Sequence, residues 1–239
     1  MSCTDIRKRA GLASGLFLAF ALMFFLPVDI PFKMSFPMLV LGIAAIGILP
    51  WQLCAAAFFS CLGDTMAQTT QIFGPVVAQI GQIVGFALAQ ICYSYFFIGY
   101  TLEALKAKRA AQKKLSKKAK AKVSSQNGLY TAMVFILVWL LLNWLFSTVA
   151  PAIDTDVIRY SVMVYGVLIA TMLFSGLMTG DWIWGLGAAL FVFSDSVIAV
   201  RNFLHPVPYS SYVVMIPYYA AQLIIFSRSV AKLRCASEG

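Results

Sequence analysis

Seven apolar stretches, at about 11–28, 36–67, 75–100, 129–150, 157–178, 182–202 and 209–228, take up most of this chain. Each is long enough to cross the roughly 30 Å hydrocarbon layer of a membrane as a helix. The second stretch is too long for one crossing, because as a single helix it would reach about 48 Å. Pro50 interrupts it in GILPWQ, so it reads as two short helices hinged near that proline. The chain is 61% hydrophobic and only 11% charged over 239 residues, which excludes an ordinary soluble domain.

The distribution of charge sets the number of crossings. Arg7, Lys8 and Arg9 place the N-terminus on the cytoplasmic side, and the basic run KAKRAAQKKLSKKAKAK at 106–122 belongs there too. Only an even number of spans between them permits this. Splitting 36–67 gives four spans before the run and four after it, which also brings Arg228, Lys232 and Arg234 to the cytoplasm. The expected fold is therefore all-α: a polytopic bundle of eight transmembrane helices, both termini cytoplasmic, forming one transmembrane domain over 1–239. Residues 101–128 are its basic cytoplasmic loop. The net charge of +9 lies mostly in that loop, where it fits a solvated surface, or second a segment lying on anionic lipid, better than nucleic-acid binding. The N-terminus has the basic start and apolar run of a signal peptide, but LPVDIPF follows in place of a small-residue cleavage site, so it reads as an uncleaved first span. The five cysteines, at 3, 54, 61, 92 and 235, have no CxxC spacing and suggest neither disulfides nor zinc.

Nearly all the acidic residues fall in loops, at termini or at helix ends. Asp64, in SCLGDTMAQ, and Asp195, in LFVFSDSVIAV, do not. A carboxylate inside a membrane span is costly and marks a functional position by default. The two positions are alike: each aspartate has a small residue before it and a hydroxyl residue after it. Each is followed, 26 and 27 residues on, by an Ala-Gln pair, Ala89-Gln90 and Ala221-Gln222. This suggests two parallel four-helix repeats, over 11–100 and 129–230, related by an axis along the membrane normal. Such an axis would bring Asp64 and Asp195 towards one another. Gln79, Gln82, Gln90 and Tyr93, with Phe86 on the same face, would form an interior wall, and Tyr218 and Gln222 form an i,i+4 pair just after Pro217. These amides serve equally well as pocket residues or as hydrogen-bonding glue between helices.

At these residues the chain resembles the YhhN-like membrane proteins, a family that includes eukaryotic and bacterial lysoplasmalogenases. The likeness rests on SCLGDTMAQ, AALFVFSDSVIAVRNF and YYAAQLIIFSRS, in that order, and spans most of the chain. It departs from the family at Gln90, where many relatives have histidine, and at Arg201, one position before the usual basic site, which is here Asn202. The resemblance implies hydrolysis of the vinyl-ether bond of lysoplasmalogens to a fatty aldehyde and a glycerophospho-alcohol. It implies Asp64 and Asp195 as the catalytic pair, a lysophospholipid substrate, and surrounding pocket residues Gln90, Tyr93, Ser194, Arg201, Asn202, Tyr218, Tyr219 and Gln222. The chemistry suits two carboxyls. A vinyl ether is cleaved by protonating the carbon distal to oxygen, and a second carboxylate can stabilise the resulting oxocarbenium ion and activate water. Which aspartate is acid and which is base stays open.

Arg201 could meet a lipid phosphate or simply anchor its helix at the interface. His205, the only histidine, reads as a loop residue, and a single histidine argues against a metal centre. No cofactor is expected. The alternative function is a proton-coupled transporter of lipids or small molecules that uses the same aspartates. The short loops fit a bacterial inner membrane, or the endoplasmic reticulum in a eukaryote.

Overall fold

The computed structural model describes the backbone of residues 3–112 and 117–234, and the side chains of 4–107 and 128–233. These residues form an all-helical bundle in the order α1 (Cys3–Phe24), α2 (Phe36–Ala45), α3 (Trp51–Ala67), a four-residue α4 (Thr70–Phe73), α5 (Pro75–Gln112), α6 (Lys117–Trp144), α7 (Asp156–Met178), α8 (Trp182–Phe203) and α9 (Ser210–Arg234). Five helical segments, at 75–107, 128–152, 156–178, 182–203 and 210–233, are long and apolar enough to cross a membrane.

The long apolar stretch at 36–67 is divided as its proline demands. Helix α2 stops at Ala45, and Gly47 turns the chain with φ +74°, a conformation that glycine adopts without a Cβ penalty. Pro50 then caps the start of α3. The two helices run antiparallel, since Ser35 Oγ at the start of α2 meets Thr65 Oγ1 near the end of α3 at 2.9 Å. Arg9 of α1 donates to the carbonyls of Ile43 and Ile46 at the end of α2.

Each half of the chain is packed by the same succession of neighbours. Helix α1 lies on α2, α2 on α3 and α3 on α5. In the second half α6 lies on α7, α7 on α8 and α8 on α9, while α5 packs on α7 to join the halves. The α3–α5 crossing is unusually close. A Cβ on Gly85 would come within 2.6 Å of the Gly63 nitrogen, so the two glycines allow backbone to meet backbone beside Asp64.

Most side chains of the basic run lie outside the described residues. Its described flanks are helical, α5 continuing to Gln112 and α6 beginning at Lys117, where the sequence reading expects loop from residue 101. Ala, Leu, Lys, Arg, Gln and Glu, which fill these flanks, are strong helix formers. Arg9, Arg228 and Lys232 share one end of the bundle with the α2–α3 and α7–α8 turns; Arg159 and Arg201 lie at the other. Cys54, Cys61 and Cys92 are free.

The α7–α8 turn is pinned by charge. Asp181 caps α8 by accepting from the Ile183 amide, and its carboxylate also takes Arg228 at 2.8 Å and Lys232 at 2.5 Å. Lys232 lies over the Tyr100 and Trp184 rings, 5.2 and 5.1 Å from their centroids. Burial pushes the Asp181 carboxyl up, but the hydrogen bonds and charges of Arg228 and Lys232 outweigh it and hold it at about 2.

Candidate active site

Asp195 sits on α8, nearly two turns before the polar end Arg201-Asn202, and is half-buried. Its Oδ2 accepts a hydrogen bond from the Tyr165 hydroxyl of α7. Gln90 of α5 donates its Nε2 to that same hydroxyl at 3.4 Å, so a relay from α5 through α7 directs the tyrosine proton onto Asp195. Gln90 is fully buried and its Oε1 has no partner, an arrangement that is costly unless something polar can reach it.

Two small cavities meet at this carboxylate. One, of about 70 Å³, lies between α5, α7 and α8, with Gln79, Gln82, Phe86, Tyr165, Asp195 and Asn202 among its walls. The other, of about 60 Å³, lies on the α6 side, and shares Val162, Tyr165, Asp195 and Ala199 with the first. Beyond the first cavity, a wider groove of about 460 Å³ carries Thr70, Gln79, Gln82, Arg201 and Asn202. Gln79, Gln82, Asn202 and Phe203 belong to both. Polar groups therefore lead from the end of the bundle down to Asp195, and apolar groups continue past it. Arg201 is exposed and donates to Asn202 Oδ1 at 3.0 Å.

Asp64 has a different setting. It is 1% exposed, accepts a hydrogen bond from the Tyr218 hydroxyl of α9 at 2.8 Å, and lines none of these three cavities. Phe86 closes the space between, packed on Gly63 and edge-on to Tyr218 and Phe191. Beside Asp64, the Tyr93 hydroxyl donates to Gln222 Oε1 at 2.5 Å, and Gln222 Nε2 donates to Ser60 Oγ at 3.2 Å.

The residues singled out by sequence thus divide into three groups. Asp195 and Asn202 line the cavity, Gln90 belongs to its relay, and Arg201 lies in the groove beyond. Asp64, Tyr218, Tyr93 and Gln222 form a sealed polar core. Ser194 Oγ donates to the Val214 carbonyl at 3.0 Å, and the Tyr219 hydroxyl donates to the Met34 carbonyl at 3.1 Å; both fasten helices and neither reaches the cavity. His205 is an exposed loop residue beside Pro206. Tyr165 escaped the sequence reading. Its one signal was a polar tip in the middle of an apolar span, away from the interface where membrane tyrosines usually lie. Among the described residues no cluster of side chains is suited to hold a metal ion.

These features define a helical membrane protein with a carboxylate-bearing cavity that is polar towards one end and apolar within. The chain belongs to the YhhN family, whose sequence profile matches residues 28–229. It is 45% identical over 64 residues to Lysoplasmalogenase TMEM86B of Rattus norvegicus, covering 27% of each chain. To Lysoplasmalogenase TMEM86B of Homo sapiens it is 40% identical over 79 residues, 33% of this chain and 34% of that one. To Lysoplasmalogenase TMEM86A of Bos taurus it is 41% identical over 75 residues, 26% and 31% of the two chains. The matched segments span about a third or less of these relatives. No solved structure matches the chain.

Proposed function

We propose that the protein is an intramembrane lipid hydrolase that cleaves the vinyl-ether bond of lysoplasmalogens, with Asp195 as the carboxyl that meets the substrate. The observation that carries this reading is the place of Asp195, between a cavity that shares Gln79, Gln82 and Asn202 with the polar groove and an apolar cavity on the α6 side. The names of its relatives point the same way.

The chemistry follows from the relay. Tyr165 holds Oδ2 of Asp195 and leaves Oδ1 to face an incoming alkenyl group. Protonated Asp195 gives its proton to the alkene carbon distal to the ether oxygen, and the electrons of the double bond and oxygen form an oxocarbenium ion. The carboxylate left behind stabilises that cation and takes a proton from the attacking water. The hemiacetal then collapses to a fatty aldehyde and the glycerophospho-alcohol. Asp64, sealed against Tyr218, completes the pair from the interior without touching the substrate. Arg201 and Asn202 are placed for the phosphate.

We further propose that α1, α2 and α3 cross the membrane with the five longer segments, giving eight spans in two parallel repeats. The antiparallel α2–α3 pair and the matched order of helix neighbours support this. The basic residues gathered at one end support cytoplasmic termini. The test is aldehyde release from 1-alkenyl lysophosphatidylethanolamine and lysophosphatidylcholine by purified protein. Turnover by the wild type and its loss in folded Asp195→Asn uphold the reading; a wild type inert to both substrates refutes it.

A further inference from the structure

The reaction at Asp195 assigns no role to the apolar cavity between α6, α7 and α8. Asp195 is the chemically active group in its wall; the rest includes Trp144, Leu145, Gly166, Ile169 and Val192. Four observations bear on what it takes. The first is continuity with the polar side, because the cavities share Asp195, Tyr165, Val162 and Ala199. A molecule with a polar head near Arg201 and a hydrocarbon tail would place its junction at the carboxylate only if the tail turned into this space.

The second is access. The α6 span is the least enclosed of the five, with 17% of its apolar window buried against 39–56% in the others. Its outer face, with Phe135, Ile136, Trp139 and Leu140 exposed, is suited to lipid. Only this loosely packed span separates the cavity from the surface on that side, which is the short route for a hydrocarbon chain coming from the bilayer.

The third is the form of the α6 end. From Leu145 to Val149 the helix widens to a π turn and then tightens to a 3₁₀ turn over Ala150–Ala152. Pro151 accounts for this, since its ring and missing N–H disrupt the preceding turn. Wide turns of this kind frequently occur at functional positions. The fourth is a notch in α7. A Cβ on Gly166 would lie only 1.9 Å from Leu145 Cδ2, so the leucine at the start of the π turn occupies the space that any larger residue would fill.

We infer that this cavity is the subsite for the proximal methylenes of the alkenyl chain, and that Leu145 seated on Gly166 is its adjustable wall. The inference rests on the lysoplasmalogenase reading for the identity of the chain. It makes Leu145, Gly166 and Ile169 specificity residues: Gly166 follows Tyr165 on α7, Ile169 lies one turn further along that helix, and Leu145 meets Gly166 from the π turn of α6. Gly166→Ala drives Leu145 into the cavity, Ile169→Trp fills it, and Leu145→Ala combined with Gly166→Ala reopens it.

Two measurements test this. The ratio of kcat/KM for 1-hexadecenyl to that for 1-propenyl lysophosphatidylethanolamine is compared among wild type, Gly166→Ala, Ile169→Trp and the double variant. The ratio should fall about tenfold in the two filling variants and recover in the double variant. A ratio unchanged in every folded variant overturns the subsite. A non-cleavable alkyl lysophosphatidylethanolamine with a diazirine on its proximal methylenes is then photolysed in the wild type. Labelling at 141–149 and 162–170 supports the subsite, and labelling confined to other helices overturns it. The second measurement needs no turnover. An inert wild type that labels at these segments would sink the hydrolase reading and keep the hydrocarbon site.

Discussion

Asp64 and Asp195 occupy matching places in the sequence and unlike places in the molecule. Each lies in an apolar helix, each follows a small residue, and each accepts from a tyrosine on another helix. Yet Asp64 is shut in where glycines draw α3 and α5 together and Phe86 covers the gap. Asp195, held by Tyr165 of α7, lines two cavities, one between α5, α7 and α8 and the other on the side of the loosely covered α6. The difference comes from the neighbours. A close glycine crossing excludes a substrate as firmly as it excludes a Cβ, and a helix with a π turn leaves room.

If that contrast governs catalysis, substitutions should divide along it. Asp195→Asn should lower kcat about 1,000-fold or more, within the span of general acid catalysis, with a thermal melt close to wild type. Asp64→Asn should cost less, about 10- to 100-fold, because its carboxylate acts through the interior; equal losses would mean that both acids meet the substrate. Tyr165→Phe should lower kcat about tenfold with little change in KM, since the hydroxyl orients Asp195 and does not bind lipid. A larger effect on KM would instead make Tyr165 a binding residue.

Gly85→Ala probes the sealed side. Its Cβ would meet the Gly63 backbone at 2.6 Å, and the forced separation should destabilise the protein by about 1–3 kcal/mol, read as a lower melting temperature in detergent. The smallest effect belongs to the far end of the bundle. Because Arg228 and Lys232 hold the Asp181 carboxyl at about 2 in the folded protein, its contribution to stability is complete above the ordinary carboxylate range. It should be lost as pH falls from about 4 through 2. Asp181→Asn should remove that acid step from the melting profile.

Much of this was legible in the sequence because the membrane imposes simple rules. Helix length and Pro50 located the α2–α3 break. The cost of charge in hydrocarbon singled out Asp64 and Asp195 among nine acidic residues. What sequence could not convey was which face each helix turns inward and how tightly it is met. Ser194 precedes Asp195 and looked like part of the pocket, but one residue turns it about 100° around the helix, onto the Val214 carbonyl. Tyr219 is likewise turned away from Tyr218. Tyr165 carries no motif, and its role emerges only once α7 lies between Gln90 and Asp195. The cavities depend on the π turn and on the Leu145–Gly166 fit, which no spacing rule encodes.

The difference between the two aspartates can be read without any turnover. Dicyclohexylcarbodiimide partitions into the membrane and modifies carboxyls it can reach, and the adducts can be mapped by mass spectrometry. The peptide containing Asp195 should be labelled, and an added lysophospholipid should slow that labelling, while Asp64 stays unmodified. Labelling of Asp64 with Asp195 untouched would contradict the assignment of the substrate-facing carboxyl.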